Sequence, residues 1–209
     1  MSDIVILGAG GHGAVVLEIA QCAGFTVAGF ADDDPQLAGA SVLGYPVLGG
    51  RDILRAGAQV ALAVGGNAAR ARLLRQSHEN GWHLPVLLHP RATISRSALI
   101  AEGTVVMANA VINARAEVGP ACIVNTACSI DHDCVVGGLA HIAPGSRLGG
   151  NVAIGDGSLI GIGASLLPRI EVGCWCVVGA GSVVTSNVPD AATVIGCPAR
   201  IRSMNAVEF

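Results

Sequence analysis

An aliphatic residue recurs at every sixth position between Ile94 and Val184, sixteen times without a break. Four residues after most of these positions the chain carries a small residue, such as Ala98, Cys122 or Ser158. This period of six, with a large and a small residue alternating, is the hexapeptide signature of a parallel β-helix. The region lacks the helical periodicity that a bundle of α-helices would require.

The repeat also predicts the dimensions of this domain. Six residues form one short strand and a turn, and three such units form a coil of about eighteen residues that hydrogen-bonds to the next coil. Aliphatic residues eighteen positions apart then stack inside the prism, while the small residues let its corners turn. Residues 94–189 have room for roughly five coils. Because the phase never breaks, we expect no long loop between coils.

Composition excludes several classes of function. The net charge of −3 argues against a general nucleic-acid surface, which normally carries a basic excess. All twelve basic residues are Arg, so neither a Schiff-base lysine nor a P-loop lysine can be the centre of the chemistry. No stretch approaches the eighteen or so apolar residues of a membrane span. The first residues lack the features of a signal peptide, and we therefore expect a cytoplasmic protein.

The seven cysteines suggest neither a metal site nor disulfides. Four of them occupy the small interior position of the repeat, where a thiol behaves as a small hydrophobic side chain. Cys174 forms only a C-x-C with one of these, and Cys22 and Cys197 stand alone, so no pair of C-x-x-C motifs exists. The interior positions are those of Cys122, Cys128, Cys134 and Cys176.

Residues 1–88 follow a different pattern, which predicts a small α/β domain. Short apolar runs at 4–7, 26–30 and 60–64 are typical of strands, and helical periodicity follows the first and third of them. Strands that alternate with helices indicate a parallel sheet, in effect half of a Rossmann fold, with a ligand crevice beyond the carboxyl ends of its strands. The polar and glycine residues expected there are Gly10, Gly11, His12, Gly13, Asp32, Asp33 and Asn67.

The loop between the first strand and its helix matches G-x-G-x-x-G through Gly8, Gly10 and Gly13, with Asp32 further along. Such a turn brings bare backbone N–H groups and a helix N-terminus up to a phosphate, which makes a dinucleotide one candidate ligand. The segment is half the size of a full dinucleotide domain, and this favours a nucleotide diphosphate over NAD and makes a dehydrogenase the weakest hypothesis. A tight turn that binds nothing is the remaining alternative.

Within the repeat, the densest group of ionisable residues is Asp131-His132-Asp133, followed by His141. His132 stands two residues after the interior Ile130, so its side chain should point away from the prism. A histidine flanked by carboxylates is suited to general-base catalysis, because the acidic neighbour orients the imidazole and supports its protonated form. The alternative is a set of solvated turn residues.

Four motifs together resemble those of the bacterial nucleotide-aminosugar acetyltransferases that make N-acetylated bacillosamine and perosamine, and of their sialic-acid O-acetyltransferase relatives. They are Gly-Ala-Gly-Gly-His-Gly, Phe-Ala-Asp-Asp, Gly-Gly-Asn and Val-Asn-Thr-Ala-Cys-Ser-Ile-Asp-His-Asp-Cys-Val-Val-Gly. The resemblance covers nearly the whole chain. It implies a left-handed β-helix over residues 89–209, a homotrimer, a nucleotide-sugar site in the N-terminal domain and acetyl-CoA in the groove between neighbouring helices.

The same resemblance assigns roles to individual residues. His132 matches the catalytic base and Asp133 its carboxylate partner, where the aminosugar enzymes carry Glu; the shorter side chain leaves Asp131 as a competing partner. The terminal motif at 196–200 resembles the segment near the far end of the coenzyme. Positions that match the coenzyme site, including the second histidine, are His141, Gly150, Ile162 and Ala180.

The hypothesis favoured by these observations is transfer of an acetyl group from acetyl-CoA to the amino group of a nucleotide-linked amino sugar. The amine would attack the thioester directly, without an acyl-enzyme and without a metal. Transfer to a sugar hydroxyl, as in the sialic-acid relatives, is the main alternative. A non-catalytic scaffolding trimer is a third hypothesis, which the His-Asp group disfavours.

Overall fold

A computed structural model describes residues 3–204 of the chain. The chain divides into two compact units, Met1–Pro90 and Arg91–Phe209, and the boundary predicted after residue 88 lies close to this division. Within the described range no helix combines the length and apolarity needed to cross a bilayer.

The N-terminal unit is built on a five-stranded sheet with the order β3-β4-β2-β1-β5. Strands β4, β2, β1 and β5 are parallel, and β3 pairs with β4 in the antiparallel sense. The strands are β1 (Ile4–Leu7), β2 (Val27–Ala31), β3 (Ser41–Val42), β4 (Tyr45–Gly49) and β5 (Gln59–Leu62), and a short β6 (Leu87–Leu88) ends the unit. The helices are α1 (Gly11–Cys22) and α2 (Asn67–Asn80), with 3-10 turns at Pro35–Leu37 and Arg51–Ile53.

Burial explains the strand and helix positions in this unit. Ile4 and Ile6 of β1 are fully buried, as are Val16 and Ala20 on one face of α1. Helix α2 ends where Gly81 adopts a left-handed conformation with φ of 66°, which closes the last turn. The three strands predicted from apolar runs are present; the first has the predicted bounds, and the ends of the other two are displaced by one or two residues.

The β3–β4 hairpin was not predicted from the sequence. Its two-residue turn places Leu43 at φ 49° and Gly44 at φ 83°, the left-handed pair that tight hairpins require. A leucine in that conformation is uncommon, and Pro46 inside β4 argues against a strand, so neither residue signalled the hairpin.

The C-terminal unit is a parallel β-helix. Its sixteen two-residue strands, β7 to β22, each end on one of the sixteen aliphatic residues of the six-residue repeat. In chain order they are Thr93–Ile94, Leu99–Ile100, Val105–Val106, Val111–Ile112, Glu117–Val118, Ile123–Val124, Ser129–Ile130, Val135–Val136, His141–Ile142, Arg147–Leu148, Ala153–Ile154, Leu159–Ile160, Ser165–Leu166, Glu171–Val172, Val177–Val178 and Val183–Val184.

Every third strand joins the same sheet, which gives the prism three faces. The first face contains β7, β10, β13, β16, β19 and β22, and the second contains β8, β11, β14, β17 and β20. The third face contains β9, β12, β15, β18 and β21, and is extended by β23 (Ala192–Gly196) and the antiparallel β24 (Ala199–Met204). Partners lie eighteen residues apart, as Val111 opposite Ser129 shows.

Stacked aliphatic and small side chains fill the prism. Ile130 and Ile142 are fully buried, and so are the corner residues Cys128, Cys134 and Ala140. Many corners hold a non-glycine residue in the left-handed conformation that side chains normally disfavour. Backbone hydrogen bonds to the preceding coil stabilise them, as between Asp133 N–H and the Ala114 carbonyl at 3.0 Å. This conformation points corner side chains away from the prism, and Asp133 of the candidate site adopts it.

Candidate active site

Three loops of the N-terminal unit gather the predicted nucleotide-binding residues at one edge of its sheet. The loops follow β1, β2 and β5, which are adjacent and parallel, so their carboxyl ends meet at that edge. The residues brought to this edge are Gly10, Gly11, His12, Gly13, Asp32, Asp33 and Asn67.

The glycines of the first loop have two different functions. A Cβ on Gly13 would collide with the Gly8 carbonyl oxygen, so Gly13 is required by the packing of α1 against the loop. Gly10 and Gly11 have no heavy atom in the path of a Cβ and face open space. Asp32 stabilises the same loop, because its Oδ2 accepts a hydrogen bond from Ala9 N–H at 2.8 Å.

Asp33, the second predicted acidic residue, is paired with Arg51. Its Oδ1 accepts from the Arg51 backbone N–H at 3.0 Å, and its Oδ2 lies 3.0 Å from Arg51 Nε. Sequence reasoning missed Arg51, which belongs to no motif and reaches Asp33 only because β4 runs beside β2.

A buried arginine organises the third loop. Arg70 is 1% exposed; its Nη1 donates to the carbonyls of Val64 and Gly65 and its Nη2 to Asn67 Oδ1 at 2.9 Å. Burial, together with the charge of Arg70, lowers the pKa of His12 to about 4. His12 is therefore neutral near pH 7, and its buried Nε2 has no hydrogen-bond partner among the described residues. Arg70 was missed because the helix carries Arg at several positions that look like a solvated face.

In the β-helix, His132 and Asp133 lie at the corner between β13 and β14. His132 Nδ1 is 2.7 Å from Asp133 Oδ2, and the imidazole side chain is 51% exposed. The Arg115 guanidinium, followed by His132, holds the pKa of Asp133 at about 2, so the carboxylate stays ionised. A carboxylate only accepts hydrogen bonds, so Nδ1 carries the proton and the lone pair of neutral His132 is on Nε2.

The geometry distinguishes the two aspartates that flank His132. Asp131 accepts the His132 backbone N–H at 2.7 Å through Oδ1, which also receives the Asn113 side-chain amide at 3.1 Å. Asp131 therefore stabilises the backbone of the corner, whereas Asp133 contacts the imidazole ring.

Gly150 lies one coil beyond His132, directly against its ring. A Cβ built on Gly150 would be 2.6 Å from both Cε1 and Nε2 of His132, so only glycine leaves room for the imidazole in this position. The resemblance placed Gly150 in the coenzyme groove, and in a single copy of the chain its neighbour is the candidate base.

The other three predicted coenzyme residues line one groove on the third face. His141, Ile162 and Ala180 border a cavity of about 550 Å³ that runs along β15, β18 and β21 and the corners after them. His141 Nε2 is 3.0 Å from the side-chain amide of Asn125, which lines the same groove. Asn125 was missed, although it follows the interior Val124 as Asp131 follows Ile130.

Comparisons with known proteins agree with this architecture. The model of the PglD N-terminal domain matches residues 3–77. PerB from Caulobacter crescentus, solved in complex with CoA and GDP-perosamine, is 37% identical, with a TM-score of 0.90 over 97% of this chain and 98% of that one. The acetyltransferase domain of PglB from Neisseria gonorrhoeae FA1090 is 40% identical, with a TM-score of 0.90 over 96% and 100%.

The chain belongs to the bacterial nucleotide-aminosugar N-acetyltransferase family. The predicted fold, a small parallel-sheet unit followed by a left-handed parallel β-helix, is confirmed. A GDP-perosamine N-acetyltransferase of Escherichia coli O157:H7 is 28% identical over 93% of this chain and 94% of its own length. The chain also matches curated serine acetyltransferases. It spans about half the length of two of them and 18% of the length of a third.

The two histidines to which the family resemblance assigned roles, His132 and His141, lie on opposite sides of the prism. His132 is at the corner between the first and second faces, and His141 begins β15 on the third face, across the prism from that corner. One copy of the chain therefore does not bring the two histidines together.

The interior cysteines are unsuited to covalent catalysis in this family member. Cys134 is fully buried, and its Sγ donates to the Gly149 carbonyl at 3.2 Å. Burial raises the pKa of the Cys128 thiol to about 12 and also raises that of Cys134. Because the thiolate is the nucleophilic form, neither side chain is available to attack a thioester.

Proposed function

We propose that the protein transfers the acetyl group of acetyl-CoA to the amino group of a nucleotide-linked amino sugar. One observation carries the proposal: an imidazole held by a carboxylate at Nδ1, with the Nε2 lone pair at an exposed corner. The family relation supports the reaction class, since PerB was solved with CoA and GDP-perosamine. In this proposal the loops that carry Gly11 and Asp33 bind the nucleotide.

The chemistry requires a base that works near neutral pH. A neutral amine attacks the thioester carbonyl, and as the C–N bond forms the amine proton moves to His132 Nε2. The tetrahedral intermediate then collapses, the C–S bond breaks and the imidazolium returns its proton to the CoA sulfur. The products are an amide and a thiol, and the enzyme regains its starting protonation state.

The negative charge that develops on the carbonyl oxygen needs a hydrogen-bond donor. With no lysine in the chain, a backbone N–H is the best candidate, and Gly150 is our choice. Among the hydrogen bonds of residues 3–204 none uses the Gly150 N–H, and Gly150 lies against the base.

We propose further that the working enzyme is a homotrimer, with acetyl-CoA in the third-face groove of one copy and His132 supplied by a neighbour. The opposite placement of His132 and His141 on one prism supports this arrangement. Closed symmetry is also the usual arrangement of soluble homo-oligomers.

The test measures acetyl transfer from acetyl-CoA to a panel of nucleotide-linked amino sugars, GDP-perosamine included, with the product followed by mass spectrometry. We expect one amino sugar to be acetylated at nitrogen, and His132→Ala to lower kcat by about 10² to 10⁴ with little change in the KM for acetyl-CoA. Full activity of His132→Ala would contradict the role of the base. Acetylation of a hydroxyl alone would contradict N-acetyl transfer.

A further inference from the structure

Two side chains of the preceding coil reach the residues on either side of His132. The Asn113 amide donates to Asp131 Oδ1 at 3.1 Å, and the Arg115 guanidinium contacts both oxygens of Asp133. The two pairs are parallel, each joining residues eighteen positions apart. The candidate base is thus supported by the coil before it, while Gly150 of the coil after it leaves room for its ring.

The pair between Arg115 and Asp133 is bidentate. Arg115 Nε lies 2.6 Å from Oδ1 and Nη2 lies 2.9 Å from Oδ2, the oxygen that also contacts His132 Nδ1 at 2.7 Å. Two contacts from one rigid guanidinium fix the plane of the carboxylate as well as its position. Arg115 is itself anchored, because its backbone N–H donates to Ser97 Oγ at 3.1 Å.

Stability alone gives a weak reason for this arrangement. The side chain of Arg115 is 67% exposed and that of Asp133 is 30% exposed, and exposed ion pairs typically add little to stability because water screens them. The pair does have an effect on geometry, because its two contacts fix the orientation of a partly exposed carboxylate. Asp133 protrudes from a left-handed corner at φ 57°.

We infer that Arg115 is a positioning residue: it binds both carboxylate oxygens of Asp133 and thereby holds Oδ2 against His132 Nδ1, which directs Nε2 to the reacting amine. The inference rests on the proposed role of His132 as the base. Arg115 acts through Asp133 and need not touch either substrate. Without it, the carboxylate rotates, and the imidazole loses the partner that selects its tautomer.

A double-mutant cycle tests whether Arg115 acts through Asp133. Arg115→Gln should lower kcat about tenfold in the wild-type background, with little change in either KM. In an Asp133→Ala background the same change should alter kcat by less than about twofold, because the group that it orients is gone. Arg115→Lys, which keeps the charge, should recover part of the loss. The Asp133→Ala chain should still fold, because alanine already occupies left-handed corners of this β-helix: Ala121 and Ala127 have φ of 50° and 55°.

Two results of the cycle would overturn the inference. An equal loss of kcat in both backgrounds would mean that Arg115 contacts a substrate directly. No loss in the wild-type background would mean that the ion pair is only a surface contact.

A second measurement does not depend on acetyl transfer, so it separates failure of this inference from failure of the proposed function. The ¹⁵N shifts of the His132 ring report its tautomer in histidine-labelled protein. We expect the Nδ1–H form to predominate in the wild type and the Nε2–H share to rise in Arg115→Gln. Arg169→Gln is the matched control, because Arg169 occupies the same kind of left-handed corner at φ 64° two coils after Asp133. A tautomer unchanged in Arg115→Gln would refute the positioning role.

Discussion

Three neighbours each restrain a different part of the His132 side chain and backbone. Asp131 holds the backbone N–H, Asp133 holds Nδ1, and Gly150 leaves the space that the ring occupies. A shift at any one of these contacts moves Nε2, the atom that must meet the amine proton. Rate should therefore be more sensitive than stability to substitutions around this corner.

At the residue scale, Cys134→Ala tests the direct-transfer mechanism. The thiol is buried, and burial raises its pKa, so it provides no thiolate. We expect kcat to stay within about twofold of the wild type, with a loss of about 1–2 kcal/mol in unfolding free energy from the vacated space. Steady-state kinetics and denaturant titration measure the two effects. An acetyl-cysteine trapped by mass spectrometry would show that the acyl group passes through the protein.

His12 should make stability depend on pH. Its folded pKa of about 4 is below the ordinary 6.5, so between those values the unfolded chain binds a proton that the folded chain does not. Stability is therefore full above about pH 6.5 and falls as the pH drops toward 4. The loss is at most about 2 kcal/mol at pH 5, from roughly 1.4 kcal/mol per pH unit.

Unfolding free energies at about pH 7.5 and about pH 5 measure this effect. His12→Gln should show a smaller difference between the two conditions than the wild type. His83→Gln, at an exposed position in the same unit, is the control and should behave as the wild type. The same pH dependence in His12→Gln and the wild type would contradict the assignment.

At the scale of elements, the corners of the β-helix differ in the side chains that pack against their glycines. Gly150→Ala should push the His132 imidazole from its place, because a Cβ there would be 2.6 Å from Nε2. We expect kcat to fall by at least about tenfold while the fold and acetyl-CoA binding persist. Kinetics and equilibrium binding separate the two effects.

Gly138→Ala is the matched control for that substitution. Gly138 occupies the equivalent place on the next corner of the prism, and its Cβ would lie 3.1 Å from the Pro120 ring instead of an ionisable group. It should cost stability without slowing turnover. Equal kcat losses in both variants would indicate general distortion of the helix.

The repeating elements could be predicted from the sequence because one local rule, repeated sixteen times, determines them. The contacts that complete the site join residues far apart in the chain, and those were missed. Arg115 meets Asp133, eighteen residues later, only after the coils stack, and Asn125 meets His141, sixteen residues later, for the same reason. The histidine and its flanking carboxylates were predictable because they are adjacent in sequence. Which carboxylate contacts the ring depends on the left-handed turn at Asp133, which single-residue preferences do not predict.

At the scale of the whole molecule, the β-helix separates the two histidines. His132 projects from the corner opposite the third face, and the groove with His141, Ile162 and Ala180 lies on that face. A second copy brings the two together only when the corner of one prism faces the groove of another. The central claim is therefore that each active site combines His132 of one copy with the groove of a neighbour.

Complementation between two inactive variants tests this claim most directly. His132→Ala and His141→Ala chains are co-expressed with different tags, hybrid trimers are isolated and acetyl transfer is measured. In a hybrid trimer one of the three interfaces has both histidines, so we expect recovery to about a third of wild-type activity, far above either variant alone. Hybrids no more active than the separate variants, or full activity of His141→Ala by itself, would contradict the account.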